Sequence, residues 1–79
     1  MVESTFEKTR NVVDYLAFMV NEFALKHKLS ATQSFEYLKQ YGGIGFLDEF
    51  YDVEHCENPN ITLNSLQAIC SREGGRFPL

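Results

Sequence analysis

A long run without helix-breaking residues constrains the fold of this chain most. From residue 4 to about residue 28 there is no glycine or proline, and Ser4 with Glu7 has the spacing of a capping box. Apolar residues recur through this run at helical spacing, namely Val12, Val13, Leu16, Met19, Val20, Phe23 and Ala24. In a chain of 79 residues, this pattern predicts one long first helix whose apolar stripe lies in the core.

A second helix is predicted to begin at Ser30. Ser30 and Gln33 form another capping box, in which each side chain satisfies a free backbone N–H group at the start of the helix. Gly42 and Gly43 then end the helix, because glycine adopts the left-handed cap conformation without a Cβ clash. The residues expected on the buried side of this helix are Ala31, Phe35 and Leu38.

Two further helices follow from the remaining pattern. A short helix over residues 45–55 is expected to bury a side made of Ile44, Leu47, Phe50 and Tyr51. After the turn at Asn58, Pro59 and Asn60, Thr62 is the expected N-cap of the last helix, with Ile61 and Leu66 spaced as a hydrophobic staple. Gly74 and Gly75 end that helix, and its expected inward residues are Leu63, Leu66, Ile69 and Cys70.

These elements predict an all-α fold, a compact bundle of about four helices with a long first helix. No segment shows the alternation of a β-strand. We expect one helical domain over residues 1–75 and a short C-terminal tail over residues 76–79. An apolar content of 44% is too high for a disordered segment.

The charge of the chain argues against two classes of partner. The formal net charge is −4 and no basic run is present, so neither nucleic acid nor a membrane surface is expected to bind. No apolar run reaches the roughly 20 residues that span a bilayer, and the charged start does not resemble a signal peptide. We therefore expect a cytoplasmic protein whose Cys56 and Cys70 are reduced thiols.

Phe18 and Leu25 lie outside the apolar stripe of the first helix. They are seven residues apart and fall on its opposite face, beside Asp14, Asn21 and Glu22. Three interpretations stay open at this point: isolated exposed apolar residues, residues covered by the rest of the chain, or a strip for a partner or a second copy.

Three segments resemble a known family of small bacterial proteins. LAFMVNEFALKHKLSATQSFEYLKQYG, FLDEFYDVEH and ITLNSLQAI occur in that order, and together they are similar to the family called domain of unknown function 3791. The most specific part is Tyr51, Asp52 and Val53 followed by His55. The resemblance covers residues 16–69 and departs after His55, where the spacing differs from that of the family.

The resemblance implies a binding role for the chain, but it implies no catalysed reaction. Members of the family are small, cytoplasmic and of unassigned activity, and they are often encoded beside a protein that resembles an ADP-ribosyltransferase. Such an arrangement resembles a toxin with a small companion. It implies that this chain binds its neighbour and blocks or chaperones it.

Asp52, Glu54, His55 and Cys56 include the ligand types that zinc prefers. Their spacing is poor for a metal site, because only residues three or four apart share a helix face. A site from Asp52, His55, Cys56 and Cys70 is therefore a minor alternative. We expect His55 to be a half-buried structural residue, with Asp52 either accepting a hydrogen bond from His55 or capping a helix. We expect no metal and no cofactor.

Catalysis by cysteine is also disfavoured by the sequence. His55 and Cys56 are neighbours, so on a helix their side chains diverge by about 100°. Cys70 lies on an apolar stripe, where cysteine behaves as a small hydrophobic residue. We expect no catalytic residue, and so no enzyme.

The acidic residues Asp48, Glu49, Asp52 and Glu54 are the remaining candidates for a site. We expect them to form an acidic face that meets a partner by charge complementarity. Together with Phe18 and Leu25, they predict a protein-interaction module with a protein partner. The alternatives are a structural homo-oligomer, or a helix-turn-helix DNA-binding protein whose recognition helix would be unusually acidic.

Overall fold

Five helices make up the part of the chain that the structure describes. The computed structural model describes residues 5–75, with side chains from residue 7 onwards. The helices are α1 (Thr5–His27), α2 (Ala31–Gln40), α3 (Gly43–Glu49), α4 (Tyr51–Glu54) and α5 (Pro59–Arg72). The predicted all-α bundle with a long first helix is confirmed. Ser4 of the first predicted capping box and the predicted tail over residues 76–79 lie outside the described residues.

The two longest helices end in the same backbone motif. After α1, the N–H of Leu29 donates to the carbonyl of Ala24 at 2.9 Å, and Lys28 between them has φ of 57°. After α5, the N–H of Gly75 donates to the carbonyl of Cys70 at 2.8 Å, and Gly74 has φ of 92°. Both are Schellman motifs, in which one left-handed residue allows the chain to satisfy the last carbonyls. Gly74 confirms the predicted stop of the last helix.

The predicted start of α2 is confirmed in both of its hydrogen bonds. The Ser30 hydroxyl accepts from the N–H of Gln33 at 3.0 Å, and the Gln33 side chain accepts from the N–H of Ser30 at 2.9 Å. At its other end, Gly42 has φ of 86°, as predicted for a residue that terminates a helix.

The core forms where α1, α2, α3 and α5 meet. Its buried members are Met19, Val20, Phe23, Tyr37, Leu38, Leu47, Leu63, Leu66 and Cys70. Most of the stripe predicted for α1 is therefore buried or half-buried, but Val13 is 56% exposed and its predicted place in the core is wrong. Val13 instead lines an open groove beside α2.

The buried side of α2 differs from the predicted one. Ser34, Tyr37 and Leu38 are buried, whereas Ala31 and Phe35 are exposed, so the prediction is right only for Leu38. The Ser34 hydroxyl donates to the carbonyl of Val20 in α1 at 2.7 Å. This buried hydrogen bond turns Ser34 inward and leaves Phe35 at the side of the helix.

The segment after Gly43 is two helices and not the single one predicted over residues 45–55. The chain turns at Phe50, whose backbone (φ −106°, ψ 23°) departs from the helical range. Leu47 is buried as predicted, Ile44 and Tyr51 are half-buried, and Phe50 is exposed, which corrects its predicted place on the buried side. The turn sends α4 back towards α1 and α5.

The last helix begins earlier than predicted. Asn58 is its N-cap, with its side-chain oxygen accepting from the N–H of Asn60 at 2.9 Å. Pro59 follows at the first helical position, where its missing N–H is not needed. Thr62 is therefore buried inside the helix and Ile61 is exposed, so the predicted cap and staple are wrong. The predicted inward residues Leu63, Leu66 and Cys70 are buried.

None of the helices over residues 5–75 combines the length and the apolar character needed to cross a membrane.

The left-handed residue that ends α1 yields a first prediction. Lys28 has a Cβ in a conformation that costs about 1 kcal/mol for L-residues other than glycine. Lys28→Gly should therefore raise the free energy of unfolding by up to about 1 kcal/mol, measured by urea denaturation. Lys28→Ala is the control, because it removes the same charge but keeps a Cβ. An equal gain in both variants would attribute the effect to charge and contradict the backbone explanation.

Candidate functional site

Apolar side chains from three helices line an open groove along α1. The groove has two parts. The first has a volume of about 500 Å³ and lies between α1, α2 and the start of α3. The residues that supply its apolar lining are Val13, Leu16, Ala17, Val20, Ala31, Phe35 and Ile44. Phe35 is 42% exposed there, so a bulky aromatic side chain and the nearby Val13 are open to solvent.

The groove continues towards the N-terminal end of α1, where its chemistry changes. This second part has a volume of about 580 Å³ and shares Val13, Leu16 and Ile44 with the first. Asp48, Glu49 and Asp52 line it from α3 and α4, and Lys8 lines it from α1. We refer to the two parts together as the α1 groove.

Three of the four predicted acidic site residues thus meet at one end of the α1 groove. Asp52 pairs with Lys8, whose Nζ lies 3.5 Å from Oδ2 of Asp52, and both side chains are well exposed. Such a pair contributes little to stability. Asp48 and Glu49 are exposed and form no ion pair within the described residues. Their charges are therefore available to a partner.

Glu54, the fourth acidic residue, faces the interior of the bundle. Its carboxylate accepts a hydrogen bond from the hydroxyl of buried Thr62 at 3.2 Å. Tyr15 of α1 lies beside this pair, and burial raises the pKa of its phenol. The neighbouring Thr62 hydroxyl lowers that pKa in part, and the negative charge of Glu54 raises it further. The expectation that Glu54 shares an acidic face with Asp48 and Glu49 is thus corrected, because the turn at Phe50 directs it towards α5.

The residues of the family signature form an aromatic brace between α4 and α1. The rings of Tyr51 and His55 stack with centroids 4.3 Å apart, and Tyr15 meets the Tyr51 ring edge-on at 5.5 Å. His55 Nδ1 donates to the carbonyl of Tyr51 at 2.6 Å. A structural role for His55 fits this geometry, but its partner is a backbone carbonyl and not the predicted carboxylate of Asp52.

The structure brings Cys56 close to His55, although the sequence predicts divergence. Cys56 Sγ lies 3.7 Å from His55 Nε2, because α4 ends at Glu54 and Cys56 is no longer on a helix. Both residues are exposed, and Cys70 is buried in the core. Cys70 therefore cannot join them, and no group of three or more His, Cys, Asp or Glu residues within 5–75 is arranged to hold a metal ion.

Phe18 and Leu25 remain uncovered by the described residues, at 46% and 75% exposure. They lie on the face of α1 that points away from the core, and neither lines the α1 groove. Phe18 and Leu25 are therefore an exposed apolar strip that is separate from the α1 groove. Phe18 and Leu25 were predicted from the sequence, but the α1 groove was not.

The sequence pattern does not predict the groove, because Val13, Ala31 and Phe35 have the spacing of core residues. A signal for it was nevertheless present. The apolar stripe of α1 extends from Val12 to Ala24, which is longer than the ten residues of α2 can cover. Apolar positions that a pattern predicts as buried, but that no element covers, are typical of an interaction surface.

The two thiols provide a test of this arrangement. Burial raises the pKa of Cys70 to about 11, and the thiolate is the reactive form. Iodoacetamide at neutral pH should therefore modify Cys56 in the folded chain and leave Cys70 unmodified, as read by mass spectrometry of peptides. The Cys56→Ser variant should react only after unfolding in urea. Comparable labelling of Cys70 in the folded chain would contradict its place in the core.

Comparison with known proteins identifies the family of the chain. No curated protein and no solved structure matches the chain. A family model described as "Protein of unknown function (DUF3791)" matches residues 14–72. This range includes every buried residue of the core, the aromatic brace and most of the residues that line the α1 groove. The match covers well over half of the sequence, and the chain therefore belongs to the DUF3791 family.

Proposed function

We propose that this chain is a small cytoplasmic protein-interaction module that binds its partner through the α1 groove. One observation carries the proposal: Val13, Ala31 and Phe35 have the sequence pattern of core residues and yet lie in an open groove. Leaving apolar surface in water is unfavourable, at about 25 cal/mol per Å². A partner that covers the groove would recover this free energy on binding.

The partner that we propose is the one implied by the family resemblance. It is a co-encoded protein that resembles an ADP-ribosyltransferase, and the chain would act as its antitoxin-like or regulatory companion. The acidic end of the α1 groove supports a partner with a basic surface, because Asp48 and Glu49 are exposed beside the apolar lining.

DNA binding is less well supported than protein binding. The segment after Gly42 and Gly43 would have to serve as a recognition helix, but it is broken at Phe50. It also presents Asp48, Glu49 and Asp52, which would repel the phosphates of a duplex.

The proposal predicts that one face of α1 is needed for binding and the other is not. The chain, tagged and expressed at native level in its own cells, should co-purify with a stoichiometric protein partner. Val13→Asn should raise the Kd for that purified partner at least about tenfold, because burying a valine side chain contributes roughly 1.5 kcal/mol to binding. Isothermal titration calorimetry measures this change.

Leu25→Asn is the matched control, since it places the same polar group on the opposite exposed face of the same helix. It should leave the Kd unchanged. Weakening by Leu25→Asn and not by Val13→Asn would move the interface to the face of Phe18 and Leu25. A chain that captures no partner and instead forms a dimer sensitive to Val13→Asn would identify it as a homo-oligomer.

A further inference from the structure

We infer that the α1 groove receives an amphipathic helix of the partner, with basic residues at the end that meets Asp48 and Glu49. This inference rests on the proposed function and specifies what the partner must present. Three features of the groove support it: its shape, the hydrogen bonding of its backbone groups within helices, and the distribution of charge along it.

The shape of the groove suits a helix. Its lining on α1 runs from Lys8 to Asn21, which spans roughly 20 Å at the rise of an α-helix. A partner helix of three to four turns has about the same length. The apolar residues of the groove belong to α1, α2 and α3, which form its walls. An inserted helix can fill such a groove with side chains spaced three and four residues apart.

The backbone of the groove excludes the main alternative for a bound peptide. An extended peptide gains affinity by adding a strand to an exposed sheet edge, where N–H and C=O groups are unpaired. The residues that line the groove all belong to α1, α2, α3 or α4. Their backbone groups are largely used within these helices, so recognition here must come from side chains.

The charge of the groove sets the orientation and the chemistry of the bound helix. The Lys8–Asp52 ion pair neutralises one of the three carboxylates. Asp48 and Glu49 are left without a cationic partner among the described residues, and the chain as a whole carries a net charge of −4. Lysine or arginine at the facing end of the partner helix would complement them and accelerate association.

A second copy of this chain is a poorer occupant. Outside the groove, Phe18 and Leu25 are the exposed apolar residues that share one face of a long helix, and they are flanked by Asp14 and Glu22. The other exposed apolar residues lie before α4, in α4 and in the first turn of α5, and they form no such helix face; they are Phe50, Val53 and Ile61. Docking that face into the α1 groove would place carboxylates against Asp48 and Glu49, and juxtaposed like charges disfavour such a complex.

The experiment is a selection of peptides on the purified full chain. A displayed library of random 16-residue peptides is the probe. Selected peptides are synthesised, and their Kd is measured by fluorescence anisotropy and their helicity on binding by circular dichroism. We expect apolar residues at helical spacing, a cluster of lysine or arginine at one end, and binding that is lost in Val13→Asn and kept in Leu25→Asn.

A matched pair of charge variants tests the acidic end. Asp48→Asn with Glu49→Gln should weaken peptide binding about fivefold, as expected for two partly exposed charge pairs, and reduce its dependence on salt. Glu57→Gln with Glu73→Gln changes the net charge by the same amount away from the groove, and should leave the Kd unchanged. Equal weakening in both variants would show a general charge effect and overturn the assignment.

Three other results would overturn the inference. They are an enrichment of peptides without helical spacing or basic residues, a failure to enrich any peptide, and a dimer of the chain that Val13→Asn dissociates. Each is distinguishable from failure of the proposed function. If the purified partner still needs Val13 while the peptides are acidic or extended, the interaction module stands and only the basic helix is wrong.

Discussion

The fold depends on one buried contact between the first two helices. The hydroxyl of Ser34 donates to the carbonyl of Val20 at 2.7 Å, with Ser34 fully excluded from solvent. Only a small side chain allows the two helix backbones to approach in this way, and a buried hydroxyl requires its hydrogen bond. The contact sets the rotation of α2 about its axis. It brings Tyr37 and Leu38 into the core and leaves Phe35 at the side, where it lines the α1 groove.

Features that depend on local backbone chemistry could be predicted from the sequence, and features that depend on packing could not. The capping box of Ser30 and Gln33 and the helix stop at Gly74 are each satisfied within a few residues, so the sequence pattern is enough. The rotation of α2 was predicted wrongly because hydrophobicity favours burying Phe35 over Ser34. Tertiary contact with Val20 reverses that preference. The start of α5 was placed too late because Asn58 and Pro59 resemble a turn as much as a cap.

In the candidate site, too, some features follow from the local sequence pattern and others depend on packing. The solvent exposure of Asp48, Glu49 and Asp52 follows from the helical pattern of the sequence. The inward direction of Glu54 depends on the turn at Phe50 and on its hydrogen bond with Thr62, which no local pattern indicates. The signature residues Tyr51 and His55 are best understood through this geometry. Their stacked rings pack against Tyr15 and hold α4 to α1, and this arrangement places the acidic end of the groove.

The central claim is that the α1 groove is open in the isolated chain, and urea denaturation of Val13→Asn tests it most directly. If Val13 is solvent-exposed, the substitution should change the free energy of unfolding by less than about 1 kcal/mol. Leu38→Ala, in the core, should cost about 2–5 kcal/mol and serves as the reference. A loss for Val13→Asn within the range of the core variant would show that the groove is filled in the isolated chain and would contradict this account.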